Sequence, residues 1–526
     1  MERRAFLRSC VLTGFGTAGL ASRAHGTPGS GTEEYDLLLQ GGHVIDPASA
    51  LSAVRDVAVK DGVIAAVARD LPEHAARQVA DVRGLYVSPG FVDLHVHGFV
   101  GHASGLSVDA GENGVGHGVT TVVDAGTSGA DDLPAFVALA ARSPVRMLAF
   151  LNIARGGMYV SEQDPRSFAS EAAAQAVLAH PELCVGIKSA HYWTTEPYDS
   201  AHLPWASVDA GLAAARACGR PAMFDFCPRP AAAGWPARTY RELLLDRMMP
   251  GDLHTHCYAR ISEYQFPVLD ERGKVNQYIL EAQASGRLLD VGHGGGSFHW
   301  ANAEPAVQQG YLPDSISTDL HRGNINGPVF SLPYVMSKFL ALGVPLEEVV
   351  RRVTVNPAKA ILRPDLGRLQ VALTADLAVF ELAWEPTRFL DVQGQARAGD
   401  RLIENLITVC GGKVLFDRDG RVWDRRTGIP AEAPAPFVRL ASYPNPFSSS
   451  TTIVVTVREA GPAILGIHDG LGQRVVTLAD ELLAAGTHEY TWQGTDQTGR
   501  SLASGVYFLS FSQGLRTMNH RVSLVR

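Results

Sequence analysis

Residues 89–97 read Pro-Gly-Phe-Val-Asp-Leu-His-Val-His. An apolar run that opens on Pro-Gly and closes on two imidazoles reads as a strand whose last residues leave the core. Side chains alternate along a strand, so His95 and His97 point the same way. Two imidazoles at that spacing can grip one metal ion. Alone the signal is weak, because the 18 histidines of the chain would produce roughly 0.6 His-x-His pairs by chance. A second pair, His254 and His256, stands further on.

Outward from this segment, apolar stretches alternate with helical ones between residues 85 and 363. The predicted strands are Leu85–His97, Val119–Gly126, Val145–Ile153, Cys184–Ala190, Pro221–Cys227, Gly251–Cys257, Arg287–His293 and Asp314–His321. Helices are predicted over Asp131–Arg142, Phe168–His180, Ala206–Cys218 and Lys274–Ser285. Eight such βα units predict an α/β fold, a (β/α)8 TIM-type barrel. The strand ends carry His95, His97, Asp124, Asn152, Lys188, Asp225, His256, His293 and Asp319. In such a barrel the C-terminal strand ends meet around one mouth. Polar groups there are costly to bury unless something satisfies them.

Composition narrows the function classes. Of 526 residues, 46% are hydrophobic and 19% charged, which excludes a disordered chain. The net charge is −8, without the basic footprint of a nucleic-acid partner. No apolar run reaches the ~20 residues of a transmembrane helix. Six cysteines do not make a disulfide framework, and Cys227 and Cys257 read as packed thiols rather than soft ligands.

At this point the motifs resemble the amidohydrolase superfamily, and within it the dihydroorotase-like amidohydrolase/deacetylase metallohydrolases. Residues 89–97 look like the strand-one motif of that family, and 118–126 (Gly-Val-Thr-Thr-Val-Val-Asp-Ala-Gly) are similar to its strand-two signature. Gly186-Ile187-Lys188 matches the segment that bears a carboxylated lysine. Residues 251–257, 290–294, 315–319 and 333–340 resemble the later strands and the helix that follows them. The resemblance spans about residues 35–425. It implies a small composite β-sandwich built from both flanks of the barrel, 35–87 and 364–428, around the hydrolase barrel of 88–363.

It also implies a site. One or two divalent ions, with Zn2+ the best match to imidazole and carboxylate donors, would be held by His95, His97, Lys188, Asp225, His256 and Asp319. Lys188, carboxylated to a carbamate, would bridge them. Asp225 departs from the pattern, since many members carry His on strand five, and it either binds the second ion or pairs with Lys188. A metal-activated water would attack the substrate, with Asp319 as general base returning the proton to the leaving amine. His293 would help to hold the oxyanion. Arg155, His191, His321 and Arg322, just beyond strand ends, are candidates to bind a carboxylate on a small-molecule substrate. The implied reaction is hydrolysis of an amide, cyclic amide or N-acetyl bond. An esterase or lactonase using the same site, and a barrel that has lost catalysis and serves as a surface-binding protein, stay open.

The two ends read as addresses. Arg3-Arg4, the apolar stretch Val11–Ala21 and small residues around a cut after Ala24 resemble a twin-arginine signal over residues 1–24. Pro430, Pro434 and Pro436 mark a linker over 429–439. Beyond it, short alternating strands with Gly turns predict a separate all-β, immunoglobulin-like sandwich over 440–526. Its motifs, among them Tyr443-Pro444-Asn445-Pro446-Phe447 and Ala503-Ser504-Gly505-Val506-Tyr507, resemble type IX secretion sorting domains, which also look like flagellar-hook-cap immunoglobulin-like modules. That resemblance implies recognition by export machinery, passage through the periplasm, and secretion or attachment at the outer surface. The proline-rich linker predicts that a chain ending there keeps its fold and chemistry and loses only export. A homo-oligomer is left open.

Overall fold

The computed structural model describes residues 34–102, 105–158, 162–192, 199–225, 241–259, 268–431, 437–514 and 516–526. The signal segment, Cys227, Pro434 and Pro436 lie outside them.

Seven parallel strands run in sequence order, each bonded to the next: Phe91–Val96, Val119–Ala125, Arg146–Asn152, Cys184–Lys188, Ala222–Phe224, Leu253–His254 and Leu288–Leu289. The eighth predicted strand forms no ladder. It closes the barrel through two isolated parallel bridges, Asp290 with Ser315 and Val96 with Leu320. Backbone bonds still tie it to both neighbours, Val291 donating to Ser315, His293 to Ser317, Asp319 to His95 and His97 to Leu320. Hydroxyls add to them: Ser315 and Ser317 donate to Asp290, and Thr318 donates to Asp93. An apolar cluster with Val92, Leu94, Val123, Leu148, Phe150, Met223 and Leu253 is drawn from the strands, and a larger one forms where strands meet helices. The predicted helices appear, slightly shortened, at Leu133–Ala140, Ser170–Ala179, Ala206–Cys218 and Gln277–Ala284.

The flanks build one ten-stranded sheet system. Leu377–Leu390 pairs antiparallel with Tyr86–Pro89, in the register Leu377 to Pro89 and Phe380 to Tyr86. Residues nearly three hundred positions apart therefore share one core, with Leu39, Val57 and Val87 packed among Leu377, Leu406 and Ile407.

The C-terminal sandwich has a three-stranded sheet, ordered Val438–Tyr443, Thr451–Val457, Gly486–Trp492, and a four-stranded one, ordered Arg474–Leu483, Gly461–His468, Gly505–Gln513, Arg516–Leu524. Its own core holds Ile453, Leu465, Trp492, Leu509, Phe511 and Val522. Phe508 is different: it belongs to the core of the barrel. Its ring stacks on Phe330 with centroids 3.5 Å apart. Burying an aromatic ring of this size is worth about 1.5–3 kcal/mol. Arg521 pairs with Glu385 and Glu404 of the composite sheet. A cavity of about 570 Å3 runs along the same seam, between Tyr334, Leu402 and Phe508 among others. The sandwich is thus a distinct all-β module that is packed onto the catalytic body rather than hung from it.

Candidate metal and active site

The mouth is built by strand ends held in unusual backbone. His256 and Asp319 both have left-handed φ, 63° and 50°. Such geometry costs a non-glycine residue of order 1–3 kcal/mol and persists only where the surroundings impose it. Space for Asp319 depends on Gly294, where a Cβ would sit 2.4 Å from the Asp319 carboxylate.

Three ligand atoms converge, one each from His95, His97 and Asp319, all within 4.8 Å of one another and all on buried residues. Asp319 Oδ1 lies 2.9 Å from His97 Nε2 and 3.4 Å from His95 Nε2, yet it is buried without a hydrogen bond. The three atoms thus share one small, enclosed volume.

The far side of each ring is tied down. His95 Nδ1 meets Thr255 Oγ1 at 2.9 Å, and that hydroxyl donates to Asp290. The hydroxyl proton being spent, His95 must donate from Nδ1, which leaves the Nε2 lone pair free toward the centre. His97 Nδ1 meets Thr127 Oγ1 at 3.0 Å, and His256 Nδ1 donates to the carbonyl of Gly292 at 2.6 Å. Orientation of this kind is what metal-binding histidines require. Burial pushes His95 well below the ordinary imidazole range, so it is neutral, as a ligand must be. Burial opposes ionisation of Asp319, but His95 and His97 outweigh it and hold the carboxyl far below its usual range. The donor set therefore fits a divalent ion.

A second group gathers around Asp225 Oδ2. His191 Nδ1 lies 2.5 Å from it, and Lys188 Nζ and His256 Nε2 each lie 3.7 Å away. The rings of His95 and His256 are 5.2 Å apart, so the two groups adjoin. Burial opposes the charge on Asp225, but His191, Lys188 and His256 outweigh it and depress its pKa strongly. In return, Asp225 overcomes the effect of burial on His256 and lifts it to about 9. His191 is raised by the same carboxylate, against burial. Asp225 thus faces both Lys188 and Nε2 of His256, so the pairing with Lys188 is the alternative this geometry displays.

The remaining predicted residues divide. His321 is brought to the site, its ring 6.2 Å from that of His97. Arg322 is exposed on the loop that follows Asp319, its backbone N–H given to Leu106. Arg155 forms a solvent-exposed ion pair with Asp131 and is not gathered into either group. His293 is a correction. Its Nδ1 donates to the Gly294 carbonyl, and its Nε2 accepts from Lys338 at 2.7 Å. With both nitrogens engaged and the ring stacked on Phe298, it has no donor to offer an oxyanion. Asp124 and Asn152 are tied to the loops around them, Asp124 accepting from Gly98 and Thr127 N–H and Asn152 donating to Gly126 and Glu162.

Sequence reasoning missed the residues that orient the ligands, Thr127, Thr255 and Asp290, and the buried Lys338. A threonine beside a predicted histidine ligand is the only hint such positions leave in a sequence.

Comparison with known proteins agrees with this geometry. The FlgD Ig-like domain family matches residues 448–514. A deacetylase of Brucella anthropi is 33% identical over 376 residues, 69% of this chain and 88% of its own length. Among solved structures, an adenine deaminase aligns with a TM-score of 0.63 at 28% identity, covering 74% of this chain and all of the other. A dihydroorotase aligns with a TM-score of 0.61 at 31% identity, covering 72% and 98%. The strand-end cluster, the composite sandwich and this breadth of similarity together make the chain a member of the amidohydrolase superfamily, a hydrolase of carbon–nitrogen bonds other than peptide bonds that carries an immunoglobulin-like module at its C-terminus.

Proposed function

We propose that the chain hydrolyses an N-acetyl or related amide, linear or cyclic, of a small molecule, as a deacetylase-type amidohydrolase with one or two divalent ions. The observation that carries this is the convergence of His95, His97 and Asp319, with a buried Asp319 oxygen left without a hydrogen bond. His95, His97 and Asp319 would hold one ion, and His256, Asp225 and a carboxylated Lys188 the other. A bound ion, Zn2+ being the best match to these donors, supplies Lewis acidity that eases proton loss from water and polarises the scissile carbonyl.

The residues of the chain do the rest. Asp319, kept anionic by its imidazole neighbours, accepts the proton of the attacking water and returns it to the nitrogen as the carbon–nitrogen bond breaks. His95 and His97 serve as ligands, oriented by Thr255 and Thr127. Lys188 is buried, and among the described residues its Nζ has only a long contact of 3.4 Å to the Ser189 carbonyl besides Asp225. An ammonium with so few close acceptors is costly there. Condensation with carbon dioxide turns it into an anion among imidazoles and so supports the carbamate reading. His321, beside His97, is the best placed of the predicted substrate contacts.

The test is elemental analysis of purified protein, together with a screen of N-acetylated amino acids, cyclic imides and acyl esters. Metal at residues 95–97 and turnover of an amide support the reading, and the His95→Asn, His97→Asn double variant should lose that metal. Turnover of esters alone would move the protein to the esterases. A metal-free, inert protein would be a binding protein. The ends of the chain support a further reading, export to the periplasm and then outward. Fractionation of cells expressing the Arg3→Lys, Arg4→Lys variant tests it, since retention of that variant inside is expected.

A further inference from the structure

We propose that the C-terminal module is an internal brace for the catalytic loop, holding the segment 321–331 that follows Asp319. Three contacts converge on that segment. Asn519 donates to the carbonyl of Ile325, and Ser510 donates to Asn326 Oδ1 at 2.8 Å. Phe508 stacks on Phe330. Gly327 and Gly472 approach so closely that a Cβ on either would strike the backbone of the other segment within 2.4–2.7 Å.

The loop passes this restraint to the site. Asn324, next to Ile325 and fully buried, donates its amide to the backbone carbonyl of Asp319 at 2.7 Å, and its Oδ1 accepts the N–H of His321. The carbonyl of Leu320 accepts the N–H of His97. The carbonyl of Pro328 accepts from Lys338 Nζ, which also contacts His293 Nε2 and donates to Leu390. Asp319 sits at φ 50° and Phe330 at φ 58°, conformations that persist only under external restraint. The module supplies that restraint from one face of its four-stranded sheet, the face carrying Phe508, Ser510, Asn519 and Arg521. The opposite face, with Leu509, Phe511 and Val522, fills the core of the module. Phe508, Ser510 and Asn519 are therefore positioning residues, acting on Asp319 through Asn324. Only the rate arm of the test rests on the reading of Asp319 as the working base.

The experiment uses the full-length Phe508→Ala, Asn519→Ala double variant, with Phe508→Tyr as the conservative control. Neither side chain belongs to the core of the module, so the sandwich should stay folded. Amide hydrogen exchange should speed up about tenfold or more over 320–331, while strands 451–457 and 505–511 stay protected. kcat should fall about 10- to 100-fold, with a smaller change in KM, and Phe508→Tyr should restore both. Unchanged exchange over 320–331 in the folded double variant would overturn the proposal, whatever the activity. If the double variant loses protection throughout, Asn519→Asp, which keeps the size but puts a carboxylate against the Ile325 carbonyl, is read by the same criterion.

Discussion

The Asp225→Asn variant of the metal-stripped protein tests the electrostatics of the second group directly. In carbon-dioxide-free buffer Lys188 stays an amine, and Asp225 holds His256 at about 9 against an ordinary value of about 6.5. The folded state therefore binds that proton more tightly than the unfolded chain does. The stabilisation is fully present below pH 6.5 and is lost as pH climbs toward 9. The difference is about 2.5 units, and at about 1.36 kcal/mol per unit it amounts to about 3 kcal/mol. Asparagine keeps the shape and removes the charge, leaving only Asp319 and the Gly292 carbonyl to work against burial, so His256 should fall from its raised value. Urea unfolding of chelator-treated protein between pH 6 and 9.5 measures this. Wild type should lose about 3 kcal/mol across the window, and the variant should lose clearly less. Metal binding gives a second view, because an ion at His256 must displace the proton. Apparent affinity for the second ion should then rise about tenfold per pH unit over the same window. A flat wild-type profile, or an equal decline in the variant, would refute the view that Asp225 keeps His256 protonated.

Further outcomes follow from the same site and seam. Asp319→Asn should lower kcat by at least about 10²-fold with folding intact, and near-native turnover would hand the proton transfer to another group. Lys188→Ala should be inactive, with partial rescue by acetate or propionate standing in for the carbamate, and full activity without rescue would remove Lys188 from the metal bridge. Arg521→Met removes the cation from Glu385 and leaves Glu404 with Arg418 alone, and should cost about 3 kcal/mol in urea unfolding, whereas Arg439→Met, at a solvent-exposed position, should cost under about 0.5 kcal/mol.

What the sequence revealed follows a physical division. Strand one was legible because a run such as Phe91–Leu94 followed by His95 and His97 combines a strong apolar period with residues that have no reason to be buried unless they bind something. The composite sandwich was legible for the same reason in Leu37–Leu39 and Leu377–Val379. The eighth barrel segment looked like a strand because Ile316–Leu320 has the right composition. Its backbone pairing is irregular and Asp319 is left-handed, and neither leaves a periodic signal. His293 looked like a catalytic group by position alone. Its engagement by Lys338, 45 residues away, is a tertiary fact. Asp225 was visible as an anomaly, while its partnership with His191 depends on the fold of the loop after strand four. The outward face of Gly505–Gln513 was the largest surprise. Phe508 alternates correctly for a solvent-facing position and is buried against another unit, something no pattern within the module could announce.

The way the module docks also decides how the whole protein can be carried. One face of its four-stranded sheet is spent on the barrel, so any receptor for the intact chain would meet the outer face of the three-stranded sheet, where Thr487 and Glu489 are exposed. Held there, the enzyme is a fixed turret, not a weight on a leash. The direction in which its barrel faces, and so the side from which small molecules arrive, is set by the stacking of Phe508 on Phe330 and the grip of Arg521, independently of how long or supple the proline-rich linker is.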